Sequence, residues 1–211
     1  QQAGLAYTTA GKAAFITGLY IVLVPLLGIF LKQRVGLNTW LGVVLAVSGL
    51  YFLSVNEDFT IAFGDLLEII GAFFWAVHIL VIDYFTKKVD ALRLSCAQFA
   101  MCSALSIIIA LIFEDISVSG LSQAAIPILY GGLLSVGVAY TLQVVAQKHA
   151  KPSHAAIILS MEAVFAALGG ALLLKENMGV RGYLGCALMF AGMLLTQVNF
   201  FEKKESAEYK A

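Results

Sequence analysis

Apolar residues run in long uninterrupted blocks along this chain, separated by short polar punctuation. Seven blocks, at about 13–31, 39–55, 64–85, 94–113, 124–147, 154–174 and 180–199, each reach the ~20 residues that a helix needs to cross ~30 Å of hydrocarbon. Between them lie "KQRVGLN", "NEDFTIAFG", "TKKVDALR", "EDISVSGLS", "KHAKPSH" and "KENMGVR", and the chain ends in a polar tail, "FEKKESAEYKA". In lipid a backbone must satisfy its own hydrogen bonds. The blocks are about twice the length of a barrel strand and lack its alternation, so the pattern predicts helices. The fold class expected is an all-α polytopic membrane protein.

Composition supports the pattern. The chain of 211 residues is 61% hydrophobic and 12% charged, against about 25% charged for a soluble domain. Formal net charge is zero, which excludes an electrostatic case for a nucleic-acid partner. Cys96, Cys102 and Cys186 sit inside apolar blocks, at no metal-like spacing, and read as packing residues.

Charge matters through its placement. With alternate loops on alternate sides, Lys32, Arg34, Lys87, Lys88, Arg93, Lys148, Lys151, Lys203, Lys204 and Lys210 fall on one side. Only Lys12, Lys175 and Arg181 fall on the other, together with Glu57, Asp58, Glu114 and Asp115. The cation-rich side is predicted to be cytoplasmic. That places the C-terminus of a multi-pass protein in the cytoplasm.

The sequence also repeats itself. At an offset of 142, Gln1, Ala13, Ala14, Ile16, Val22, Gly28 and Leu31 match Gln143, Ala155, Ala156, Ile158, Val164, Gly170 and Leu173. One extra loop residue shifts the offset to 143, where Gly36, Leu41, Gly42, Leu45 and Gly49 match Gly179, Leu184, Gly185, Leu188 and Gly192. The matched helices are five spans apart. An odd number gives opposite directions through the membrane, so the pattern predicts an inverted-repeat helical bundle. Such repeats build secondary transporters, with the substrate site near the midplane between the halves. Gln1 corresponds to a position late in the third helix of the second repeat. The expectation is therefore seven complete transmembrane helices of ten, with about 79 residues lacking at the N-terminus. Three regions follow: 1–57 from the first repeat, 64–199 as the second, and 200–211 as a cytoplasmic tail.

"AYTTAGKAAFITGLYIVLVPLLGIFLKQRV" and "AKPSHAAIILSMEAVFAALGGALLLKENMGVRGYLGCALMFAG" resemble the paired signatures of EamA-type members of the drug/metabolite transporter superfamily. "GAFFWAVHILVIDYF" is similar to that family's sixth helix. The resemblance implies a ten-helix inner-membrane carrier, commonly an exporter of amino acids, metabolites or drugs. The family's usual Glu-Pro pair stands here as Glu162-Ala163.

Candidate chemistry lies where polar groups interrupt apolar helices, since intramembrane ionisable groups avoid lipid. Glu162 sits mid-span in "ILSMEAVFAALGGALLLKE". It is either a proton- or amine-binding carboxylate facing a cavity, or a structural or gating group. Glu68, Gly71, Trp75, His78 and Ile82 share one helical face. There His78 suits proton relay and Trp75 a cation–π surface for an amine, although close packing around Gly71 explains the same face. In the fifth block Gly132, Ser135, Ala139 and Gln143 form one stripe with Tyr140 adjoining; small residues at this spacing pack helices, and in a carrier the same stripe, with Ser135, Tyr140 and Gln143, is a cavity-lining candidate. Tyr20, the repeat partner of Glu162, is a further cavity candidate. Pro25, Gly169 and Gly170 are hinge candidates. His149 and His154 have no zinc-like spacing.

The sequence expectation is a non-ATP secondary transporter exporting a small metabolite, amino acid or drug by alternating access. Its partners would be the lipid bilayer, a small-molecule substrate and, as a candidate coupling ion, protons. No catalytic residue, metal ligand or cofactor is expected, and no enzyme activity: no Walker, GxSxG or HExxH motif occurs. The alternatives are a non-transporting membrane sensor or partner protein, and an intramembrane enzyme.

Overall fold

The computed structural model describes residues 2–7, 10–33, 35–54, 63–114, 117–173 and 179–197. Every regular element among them is helical: α1 (Gln2–Leu5), α2 (Ala10–Gly18), α3 (Tyr20–Phe30), α4 (Leu37–Ser54), α5 (Phe63–Thr86), α6 (Ala91–Phe113), α7 (Val118–Gln123) and α8 (Ala125–Leu129). A π-helix (Tyr130–Tyr140) then leads into α9 (Thr141–Gln147), α10 (Pro152–Leu159), α11 (Met161–Leu173) and α12 (Gly179–Gln197). The charged tail after residue 199 lies outside the described residues. All seven expected spans have a helical counterpart. Phe63–Thr86, Ala91–Phe113, Ala125–Gln147 and Gly179–Thr196 are long and apolar enough to cross a membrane, and Phe15–Phe30, Leu37–Phe52 and Pro152–Phe165 are shorter apolar stretches.

The chain divides into two compact units, residues 1–80 with 151–211, and residues 81–150. In the first, α4 and α12 form the main seam. A methyl group placed on Gly49 would lie 2.5 Å from the Gly185 carbonyl oxygen and 2.7 Å from the Met189 nitrogen. One placed on Gly42 would lie 2.8 Å from the Gly192 oxygen, and one on Gly192 2.7 Å from the Gly42 oxygen. Gly42 therefore faces Gly192 while Gly49 faces Gly185, so the helices run antiparallel with their backbones in contact. By the offset of 143, Gly42 matches Gly185 and Gly49 matches Gly192. Each of the two contacts is thus the image of the other, the self-complementary arrangement of a two-fold interface. Glycines permit it because lipid offers no hydrophobic drive, and close van der Waals packing must hold such helices together.

Around the seam Phe15, Ile16, Ile21, Val43, Ala46, Leu50, Ile157, Met161, Val164, Cys186 and Met189 form the core of this unit. Two of its helical spans are interrupted. Leu19 separates α2 from α3, where Leu19 N–H donates to the Ile16 carbonyl three residues back (3.1 Å). Ser160 separates α10 from α11, and its hydroxyl donates to the Ile157 carbonyl at 2.7 Å. Such back-bonding bends helices. The two interruptions lie within one residue of equivalence in the repeat, and their flanking residues Ile16, Ile21, Ile157 and Met161 share the core. The hinge candidates sit elsewhere: Pro25 within α3, and Gly169 and Gly170 within α11, which runs on through them. Pro25 acts at a distance, since it has no N–H to offer the Ile21 carbonyl. At its end α3 closes with a Schellman motif. Gln33 N–H donates to Gly28 O and Lys32 N–H to Ile29 O, both at 2.9 Å, with Lys32 at φ 59°.

In the second unit Ile82, Ala91 and Val144 form a small core, with Leu94 against it. Asp90 caps α6 by accepting from Leu92 and Arg93 N–H at 3.1 and 3.2 Å. Where the sequence suggests only a loop, "EDISVSGLS", the short α7 forms, capped by the Ser117 hydroxyl accepting from Gly120 N–H at 3.1 Å. The fifth block departs most from expectation. At 100° per residue its stripe is Gly132, Ser135, Ala139 and Gln143, yet Gly132 and Ala139 are exposed. The half-buried positions are Gly131, Ser135, Val136 and Tyr140. A π-helix bonds i to i+5 and so turns less per residue, which moves Tyr140 round towards Ser135.

Candidate functional site

Acidic groups buried in the first unit come from α5. Asp65, Glu68, Ala72, Ala76 and Ile79 recur at three- and four-residue spacing and are buried, so they are the inward face of an amphipathic turn pattern. Glu68 has no exposed surface. Its Oε2 accepts a hydrogen bond from the Thr17 hydroxyl of α2 at 2.7 Å. Its Oε1 has no partner among the described residues, and a methyl group placed on Gly4 would lie 2.5 Å from that oxygen. One turn earlier, a methyl group on Gly64 would lie 2.8 Å from the Gly4 carbonyl oxygen. Tyr7 meets Phe63 edge to face, ring centres 5.8 Å apart. Residues 4–7 thus clasp the start of α5, and two glycines let the chain come close enough for Glu68 to be sealed. A carboxylate held this way has one satisfied and one unsatisfied oxygen. Such a group is expensive to bury, which makes Glu68 a candidate site residue.

Trp75 and His78, on the same helix, are half-buried and flank this inward face. Their rings meet edge to face at 5.8 Å. Tyr20 is half-buried between the main core and a second cluster of Val24, Ala76, Ile79, Leu80 and Ala156. Its repeat partner Glu162 behaves differently. Met161 and Val164 are buried in the core while Glu162 and Phe165 are exposed. A charge at that depth does not face lipid without large cost, so its side of α11 must meet water or other protein. Ser135, Tyr140 and Gln143 belong to the second unit, where each is half-buried. Of the two loop histidines, His154 lies 3.3 Å from the Thr39 hydroxyl and His149 is exposed.

Three groups escaped the sequence reading: Thr17, Gly4 and Gln147. Thr17 and Gln147 each carry a signal, a polar side chain in an apolar run; Gly4 has none until its neighbour Glu68 is known.

Comparison with known proteins agrees with this architecture. An uncharacterized transporter of Archaeoglobus fulgidus is 32% identical over 204 residues, covering 94% of this chain and 64% of that protein. The uncharacterized transporter YoaV of Bacillus subtilis is 23% identical over 207 residues, 95% of this chain and 71% of its own length. The chain thus spans about two thirds of these relatives. A crystal structure with 20% sequence identity superposes with a TM-score of 0.73 over 92% of this chain and 69% of that one, and so shares its fold. The model of the EamA-like transporter family matches residues 62–198. The chain, a multi-pass helical membrane protein, belongs to the EamA-like transporter family.

Proposed function

We propose that this chain forms the translocating core of a secondary carrier that exports a small metabolite, amino acid or drug by alternating access. The observation that carries the reading is the reciprocal seam of α4 and α12. Two related helices that run antiparallel and meet through matched glycines are what oppositely threaded repeats produce. Inverted repeats give a carrier two equivalent halves, so that inward- and outward-facing states are exchanges of the same contacts. The paired interruptions at Leu19 and Ser160 supply points at which spans can bend. Polar groups on or beside inward faces, Tyr20, Glu68, Trp75 and His78, with Glu162 on a face that must meet water or protein, are the substrate and coupling candidates of the first unit. Ser135, Tyr140 and Gln143 are those of the second. Protons are the coupling ion in this reading, the inner membrane is the site, and the cytoplasm holds the C-terminus, the side that the loop cations favour.

Reconstituted into proteoliposomes at full length, the protein should move at least one member of a broad metabolite panel without ATP. It should do so faster with an imposed pH gradient. No movement of any compound would discard the carrier reading.

A further inference from the structure

Unsatisfied buried hydrogen-bonding groups concentrate at one further place, α9 of the second unit. Gln147 is buried, and neither its Nε2 nor its Oε1 has a partner among the described residues. One turn earlier the Gln143 Nε2 is buried and equally unpartnered. Because both amide atoms of Gln147 are unpaired, the conclusion does not depend on which way that amide is turned. Other buried polar groups of this unit are satisfied. The Ser95 hydroxyl donates to the Ala91 carbonyl at 2.9 Å, the Thr86 hydroxyl to the Asp83 carbonyl at 3.2 Å, and Lys87 pairs with Asp83 at 2.8 Å. Buried polar groups in native proteins are paired almost without exception, so three unpaired atoms on successive turns of one helix need an explanation. The π-helix that immediately precedes α9 is a second irregularity of the kind that accompanies functional sites.

We infer that Gln143 and Gln147 form a binding site for a small carboxylate bearing a hydrogen-bond donor on the neighbouring carbon. The inference rests on the carrier reading only for its role, as the site a substrate occupies. The chemistry follows from the inventory of unpaired atoms. Two amide N–H₂ groups need acceptors, and the two oxygens of one carboxylate provide them. The Gln147 carbonyl oxygen needs a donor, which a hydroxyl or ammonium beside the carboxylate provides. Lys148 adjoins Gln147, and Lys87, Lys88, Arg93 and Lys148 outnumber Asp83 and Asp90 at this end of the unit, which favours an anionic group.

The test is thermal unfolding of the intact protein in detergent, titrated with glycolate, glycine, acetate and ethanolamine. Glycolate, glycine or both should raise the melting temperature, while acetate and ethanolamine need at least about tenfold higher concentrations, each lacking one half of the pattern. A response to one alone identifies the donor as hydroxyl or ammonium. Gln147→Leu should melt no lower than the parent without additive, because both unpaired atoms go at once, and should weaken the response by about tenfold or more. Gln143→Leu should weaken it less. No shift with any probe, an equal shift in Gln147→Leu, or a Gln147→Leu protein less stable without additive would each overturn the site. Binding without flux in proteoliposomes would instead overturn the carrier reading and leave the site standing.

Discussion

Glu68 shows how a single side chain constrains its surroundings. Burying it demands a donor, and Thr17 is the one the fold supplies. Thr17→Val keeps the shape and removes the donor, so it should lower unfolding stability by about 1 kcal/mol, in the range measured for hydrogen bonds inside membrane proteins. Unfolding in detergent measures this, and an unchanged midpoint would mean that the bond adds nothing. Glu162 poses the opposite case. It is exposed among the described residues, so Glu162→Gln should leave the melting temperature unchanged while reducing pH-gradient-driven flux at least about tenfold. Unchanged flux would remove Glu162 from coupling. Helical spacing put Glu68, Trp75 and His78 on neighbouring parts of α5, but the buried face runs through Asp65, Glu68, Ala72, Ala76 and Ile79, with Trp75 and His78 at its edge. Which member would be sealed was not legible. That depends on Gly4 and Thr17, which reach Glu68 only through tertiary packing.

At the scale of elements, hydropathy and length foretold the seven spans, since nothing but a helix satisfies so long an apolar run in lipid. Their irregularities were hidden for the same reason. A helix that is apolar all round carries no periodic pattern from which a π-turn or a break can be read, so the exposed Ala139 and the interruptions at Leu19 and Ser160 emerged only in three dimensions. The glycine seam, by contrast, was written in the repeat as Gly42 and Gly49 matching Gly185 and Gly192. Its energetic weight can be measured. Gly49→Ala forces a methyl group against the backbone of Gly185 and Met189, neither of which can rotate away, and should destabilise by about 1–3 kcal/mol. Gly132→Ala meets open space and should be neutral to stabilising by up to about 1 kcal/mol. Equal effects at the two sites would show that the seam is not close-packed.

For the whole molecule the central claim is that the two repeats thread the membrane in opposite directions. Leu37 and Val180 are repeat partners at the starts of α4 and α12, and both are exposed. Each can be replaced singly by cysteine after Cys96, Cys102 and Cys186 are removed, and probed in intact cells with a membrane-impermeant thiol reagent. The account predicts labelling of Val180→Cys from outside and of Leu37→Cys only after the cells are opened. Labelling of both from the same side would contradict it.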